Sequence, residues 1–159
     1  MQIHVIAVGR VKESYLSEGI AEYEKRLRPY AKIRIVEIAD ERRPARISPA
    51  QTAQLLHKEC ARVLESIPPE GYTIALDISG NQMSSEGLAR LLHDQEIGGK
   101  GRVMFVIGGD LGLSADVLAR CDERLSLSPM TFTHQMVRLI LLEQVYRAFR
   151  IMRGEPYHK

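Results

Sequence analysis

Apolar and polar positions follow two rhythms along the chain, and the rhythms take turns. Residues 2–9 (QIHVIAVG) are mostly apolar and β-branched, which predicts a strand. Residues 13–28 switch to helical spacing through Leu16, Ile20, Tyr23 and Leu27. Residues 31–38 (AKIRIVEI) alternate apolar with charged side chains, which predicts a strand with one wet face. The stretch ADERRPAR then breaks both rhythms and is expected to be a charged loop.

A capping-box signature, Ser48 with Gln51 and Pro49 between them, opens a helix that should run to about Ile67 and stop at Pro68-Pro69. A short buried strand is predicted over 72–77 (YTIALD), with ISGNQ as its turn. Residues 84–97 are helical in pattern and end at Gly98-Gly99; 102–107 form the next strand, 114–121 a short helix and 124–128 a short strand. The last helix is expected from near Thr133 to about Arg153. Strands alternating with helices imply an α/β domain, a mostly parallel sheet with helices on both faces. No internal repeat or long linker divides the 159 residues, so they are expected to form one domain.

Composition narrows the class without changing it. An apolar share of 45% and a charged share of 26% are those of an ordinary globular protein. The longest aliphatic run near the end, Leu139 to Leu142, is far too short for a membrane span. MQIHVIAVGR has no basic leader followed by an apolar stretch, and Cys60 and Cys121 have no CxxC partner, so reduced thiols and a cytoplasmic location are expected. His4, His57 and His93 lack partners at metal-ligand spacing, and no metal is expected.

Charge is distributed unevenly. Residues 1–46 carry 10 lysines and arginines against 7 acids, 47–133 carry 7 against 11, and 134–159 carry 5 against 2. Two basic ends that meet in the fold would present a surface suited to a polyphosphate.

The chemistry concentrates where strands end. VMFVIGGDLGLS (103–114) runs from a strand into a glycine turn and then a possible helix cap. Its GGxxG spacing is not the GxGxxG of dinucleotide folds, and no lysine follows as a phosphate loop requires. Asp110 would repel a phosphate. What remains is a tight turn of no further meaning, or bare backbone facing a flat uncharged ligand. Two more strand ends, Leu76–Gly80 and Leu127–Phe132, carry similar loops, offering amides, carbonyls and apolar side chains rather than metal ligands or a nucleophile elbow. Parallel sheets bind ligands at such ends.

LDISG, FVIGGDLGLS, LSLSPMTFTHQMVR and EQVYRAFRIMRGEPYHK together resemble the RlmH family of SPOUT-class methyltransferases, over nearly the whole chain. The resemblance implies S-adenosyl-L-methionine as methyl donor, N3 of a pseudouridine in 23S ribosomal RNA as acceptor, a deep C-terminal trefoil knot, a homodimer and the assembled ribosome as substrate. It assigns Leu76, Gly108, Leu127, Ser128, Pro129, Met130, Thr131 and Phe132 to the donor. Thr133 departs from the proline common among relatives, and Asp110 falls in a variable part of the turn.

Methylating an imino nitrogen requires loss of its proton, so the terminal Tyr157, His158 and Lys159 are expected to serve as stacking platform, base and anion stabiliser. Arg10, Arg138, Arg150 and Arg153 are candidate RNA contacts. The last helix has an apolar arc wider than one sheet face needs, which favours a second copy as its partner. The competing classes are a non-catalytic RNA- or ribosome-binding module of the same fold and a flavodoxin-like signalling domain.

Overall fold

A computed structural model of the protein describes residues 1–156. Five strands form one all-parallel sheet: β1 (Gln2–Val8), β2 (Lys32–Ile38), β3 (Tyr72–Gln82), β4 (Arg102–Ile107) and β5 (Glu123–Ser126), in the spatial order β2-β1-β4-β3-β5. Five helices alternate with them: α1 (Ser14–Leu27), α2 (Pro49–Ser66), α3 (Ser85–Ile97), α4 (Ala115–Arg120) and α5 (His134–Met152).

The central strands β1 and β4 are apolar apart from Gln2, His4 and Arg102, because both of their faces are covered. Ile3, Val5 and Ala7 of β1 share a core with α1, α3 and α5, whereas Ile6 and Val8 share one with α2. Phe105 and Ile107 of β4 join the first core, Met104 and Val106 the second. The edge strand β2 keeps its alternation, with Lys32, Arg34 and Glu37 exposed.

Side chains set the helix starts. Ser48 and Gln51 close a full capping box on α2, and Ser84 and Ser114 cap α3 and α4. Thr133 accepts the Met136 N–H at 3.3 Å and so caps α5. A proline there has no side-chain oxygen and would leave the Met136 N–H without this acceptor.

One expectation needs correction, and one reason for a second copy loses force. ISGNQ is not simply a turn: β3 continues to Gln82, but Leu76 and Asn81 both lie opposite Leu125 of β5, so residues 77–80 are looped out between two stretches of pairing. Gly80 makes this possible, since a Cβ there would fall 2.6 Å from the Arg124 carbonyl. The wide apolar arc of α5 also has an internal explanation. Leu141, Leu142, Val145, Ala148 and Phe149 are buried in the core on that side of the sheet, Leu139 packs against Gly19 of α1, and Gln144 accepts the Ser85 hydroxyl of α3 at 2.7 Å. Much of the arc is therefore filled by α1 and α3 on either side, without a second copy.

Candidate functional site

The carboxyl ends of β3, β4 and β5 open into a cavity of about 470 Å³, within the usual range for a small-molecule site. Three walls enclose it: the looped-out segment after Leu76, the glycine turn after Ile107, and residues 125–134 leading into α5.

The glycine turn closes on itself. Gly109 and Gly112 form an antiparallel bridge, with the Gly112 N–H donating to the Gly109 carbonyl at 3.0 Å. A Cβ on Gly108 would lie 2.5 Å from the Gly112 carbonyl oxygen, so the glycine at 108 is required by neighbouring backbone. Gly112 takes the left-handed conformation, at φ 76°. The turn therefore presents main chain to the cavity while its own backbone dictates the missing side chain.

Seven of the eight residues assigned to the donor line this cavity: Leu76, Gly108, Leu127, Ser128, Met130, Thr131 and Phe132. Pro129 does not; it is an exposed residue of the same loop. The Ser128 hydroxyl accepts the Met130 N–H at 3.0 Å, which commits it to the shape of the loop. Ile107, Leu125 and Val137 supply further apolar wall that the loops alone do not suggest. They lie at the ends of strands and in the first turn of a helix, places where only the folded register shows which way a side chain faces.

Among the described residues lining the cavity there is no lysine or arginine. Its two carboxylates are both engaged. Asp77 accepts Arg124 Nε at 2.9 Å, and Asp110 bridges Arg43 Nη2 at 2.6 Å and His134 Nδ1 at 3.0 Å. Burial would push the Asp110 carboxyl up, but the Arg43 hydrogen bond and the neighbouring His134 hold it below the usual range. The site thus offers backbone, apolar side chains and hydroxyls, with its two carboxylates already paired.

Asp110 also ties two loops to the start of α5, and a buried carboxylate behind it fixes the arrangement. Glu59, 5% exposed on α2, accepts the Glu41 N–H at 2.8 Å and so anchors the charged β2–α2 loop that delivers Arg43. A second groove, of about 260 Å³, lies across the Asp110–His134 wall and is lined by Gly9, Arg10, Lys12 and Asp40.

The candidate RNA contacts separate into two kinds. Arg10 is exposed in that groove and Arg153 is exposed after α5. Arg138 is not a surface cation: it is 2% exposed, with Nη1 on Glu37 Oε1 at 2.5 Å and Nη2 donating to the Gly9 carbonyl at 3.0 Å. Burial and two partners remove it from contact with phosphate. Arg150 is likewise engaged, with Nη1 2.7 Å from Glu155. Tyr157, His158 and Lys159 lie outside the described residues. No group of three or more metal-ligating side chains gathers among the described residues, and no helix among them is long and apolar enough to cross a membrane.

A family profile described as "Predicted SPOUT methyltransferase" matches residues 1–158. The chain is 51% identical over its full 159 residues to the ribosomal RNA large subunit methyltransferase H of Carboxydothermus hydrogenoformans, whose full length is also covered. In fold it is similar to a probable methyltransferase from Bordetella pertussis Tohama I, at a TM-score of 0.59 and 13% identity, over 93% of this chain and 94% of that one. It is also similar to a putative methyltransferase from Legionella pneumophila solved with bound SAM, at a TM-score of 0.50 and 13% identity, over 93% of this chain and 66% of that one.

Proposed function

The chain belongs to the SPOUT methyltransferases, in their RlmH family, and on that premise we propose that it transfers the methyl group of S-adenosylmethionine to N3 of a pseudouridine in 23S ribosomal RNA, on the assembled ribosome in the cytoplasm. The observation that carries this reading is the cavity at the strand ends, lined by backbone and by a mixture of apolar and polar side chains and free of lysine and arginine among its described lining residues. Such a lining suits an adenosyl group bearing a cationic sulfonium and disfavours a phosphate ester.

Leu76, Gly108 and the 127–132 loop would hold the donor, which when bound supplies an activated methyl on sulfur. The residues of this chain then divide between holding the donor and preparing the acceptor. Bare main chain at the glycine turn would offer amides and carbonyls to the donor, and the apolar residues Ile107, Leu125 and Leu127 would exclude water from it. Tyr157, His158 and Lys159 prepare the acceptor. His158 accepts the N3 proton, Lys159 stabilises the developing anion, and Tyr157 stacks on the base. Arg10 and Arg153 bind the backbone phosphates of the RNA.

The trefoil knot and the homodimer belong to the same proposal. The path of the chain supports the threading: from the edge strand β5 it crosses the ends of β3 and β4 to the loop between β1 and α1, where Gln135 accepts the Lys12 N–H at 2.9 Å. Exposed apolar side chains at the cavity mouth support the dimer, with Ile78 54%, Met130 74% and Phe132 42% exposed.

Transfer of labelled methyl from the donor to ribosomes lacking the modification, followed by mass mapping of the RNA, tests the reaction. One methyl on one pseudouridine of the 23S RNA is the expected product. Donor binding without transfer to ribosomes would instead identify a non-catalytic module.

A further inference from the structure

Helix α5 ends in an unusually complete set of restraints. Gly154 takes the left-handed conformation at φ 65°, its N–H donates to the Ile151 carbonyl at 3.0 Å, and the Glu155 N–H donates to the Arg150 carbonyl at 2.9 Å. These paired bonds are a Schellman close, sufficient alone to terminate a helix.

Side chains add a second fastening that the termination does not need. Glu155 Oε2 accepts the Tyr30 hydroxyl at 2.5 Å and lies 2.7 Å from Arg150 Nη1. Arg150 also reaches the Tyr30 oxygen at 3.3 Å and, through Nη2, the Pro156 carbonyl at 3.4 Å. The guanidinium of Arg153 sits 5.1 Å over the Tyr30 ring. Tyr30 itself has little freedom: its ring stacks on Phe149 with centroids 5.9 Å apart and meets the edge of Tyr146 at 5.9 Å. A residue from the α1–β2 connection thus grips the chain 125 positions later, at the last residues before Tyr157.

We infer that Tyr30 is a positioning residue for methyl transfer: by holding Glu155 and, with Arg150, the Pro156 carbonyl, it sets the direction in which the chain leaves α5 and delivers its terminal Tyr-His-Lys. This rests on the reading that those three residues serve the reaction. Pro156 carries the restraint onward, because its ring leaves its own φ no freedom. The Tyr30 phenol keeps its proton at neutral pH, since the hydrogen bond to Glu155 and burial both raise its pKa above the ordinary tyrosine value, so the donor to Glu155 is present there.

The test uses the full chain with Tyr30→Phe, Glu155→Ala and Glu155→Gln, and a chain ending at Pro156. Turnover on unmodified ribosomes, affinity for S-adenosylhomocysteine and melting temperature are measured for each. Tyr30→Phe and Glu155→Ala should lower kcat roughly ten- to hundredfold, as expected for a reacting group misplaced by about an ångström, with cofactor affinity within about twofold of wild type. Glu155→Gln keeps an acceptor for the phenol and should recover most of the rate. In the shortened chain, turnover should vanish whether or not Tyr30 is changed. If the shortened chain turns over normally, the role of the terminal residues fails. If it is inactive but Tyr30→Phe is as fast as wild type, the terminal residues keep their role and Tyr30 loses its own. A parallel fall of kcat, cofactor affinity and melting temperature in Tyr30→Phe would make the contact merely structural and overturn the inference.

Discussion

Replacing Arg138 with methionine removes a buried cation while keeping most of its volume, and its consequences follow from the groups around it. The Gly9 carbonyl, in a buried residue, loses its 3.0 Å donor, and an unsatisfied buried acceptor costs about 1–3 kcal/mol. Glu37 is 39% exposed, so water replaces the guanidinium and the loss there is about 0–1 kcal/mol. Arg138 Nε has no partner in the native protein, so removing it relieves a small penalty. The sum is a destabilisation of about 2 kcal/mol, which for a domain of this size lowers the melting temperature by roughly 4–8 °C. Denaturant unfolding should show a lower midpoint at an unchanged slope. Arg138→Lys should fall between the two, because a single ammonium cannot span both acceptors as the planar guanidinium does. Since Arg138 touches no solvent-facing surface, the salt dependence of ribosome binding should match wild type in both variants. A variant that melts like wild type but binds ribosomes with a shallower salt slope would refute this account and return Arg138 to the RNA.

Other consequences are checked more simply. Gly108→Ala forces a Cβ to within 2.5 Å of a backbone oxygen that cannot swing aside, so S-adenosylhomocysteine should bind at least roughly tenfold more weakly, about 1.4 kcal/mol, in calorimetry of a still-folded protein; wild-type affinity would show that the turn yields. Burial, and then Arg102 and Arg34, hold the His4 imidazole below its ordinary value. The unfolded chain therefore binds that proton more readily, so stability is full above about pH 6.5 and declines as the pH falls below it. His4→Gln should flatten that decline in melts between about pH 7.5 and 5, and an unchanged slope would assign it elsewhere. Cys60 is 2% exposed with its Sγ accepting the Ser114 N–H at 3.2 Å, and burial pushes the Cys121 thiol up to about 11. Neither should react with a disulfide reagent at about pH 8 until denaturant is added, and rapid labelling of the native protein would contradict the burial.

Much of the architecture is legible in the sequence because local pattern and final environment agree. Residues 2–9 are mostly apolar, and β1 is covered on both faces; residues 31–38 alternate, and β2 is an edge. The site loops stand out because they follow strands and are rich in glycine and serine, and seven of the eight residues that the family resemblance assigns to the donor line the cavity. The misses share one cause, dependence on partners distant in sequence. Asn81 and Gln82 carry no strand signal, yet they pair with β5 through backbone that only the folded neighbour supplies. Arg138 looks like any helix-surface cation until Glu37, 101 residues earlier, is set beside it. The apolar width of α5 points outward in sequence because its flanking helices are encoded far upstream. Asp110 reads as a repulsive carboxylate, and the Arg43 and His134 that occupy it come from two other segments.

The position of α5 has a bearing on how the molecule is made. Translated after every other described helix and strand, this one nevertheless fills the middle of its layer, between the first and third helices. A nascent chain that has emerged only as far as β5 has an open slot one helix wide, floored by the apolar faces of β1 and β4. Closure must wait until the missing helix clears the exit tunnel, and until then the exposed floor is a natural client surface for ribosome-bound chaperones. An enzyme of ribosomes would in this way spend its least finished moments on the surface of one.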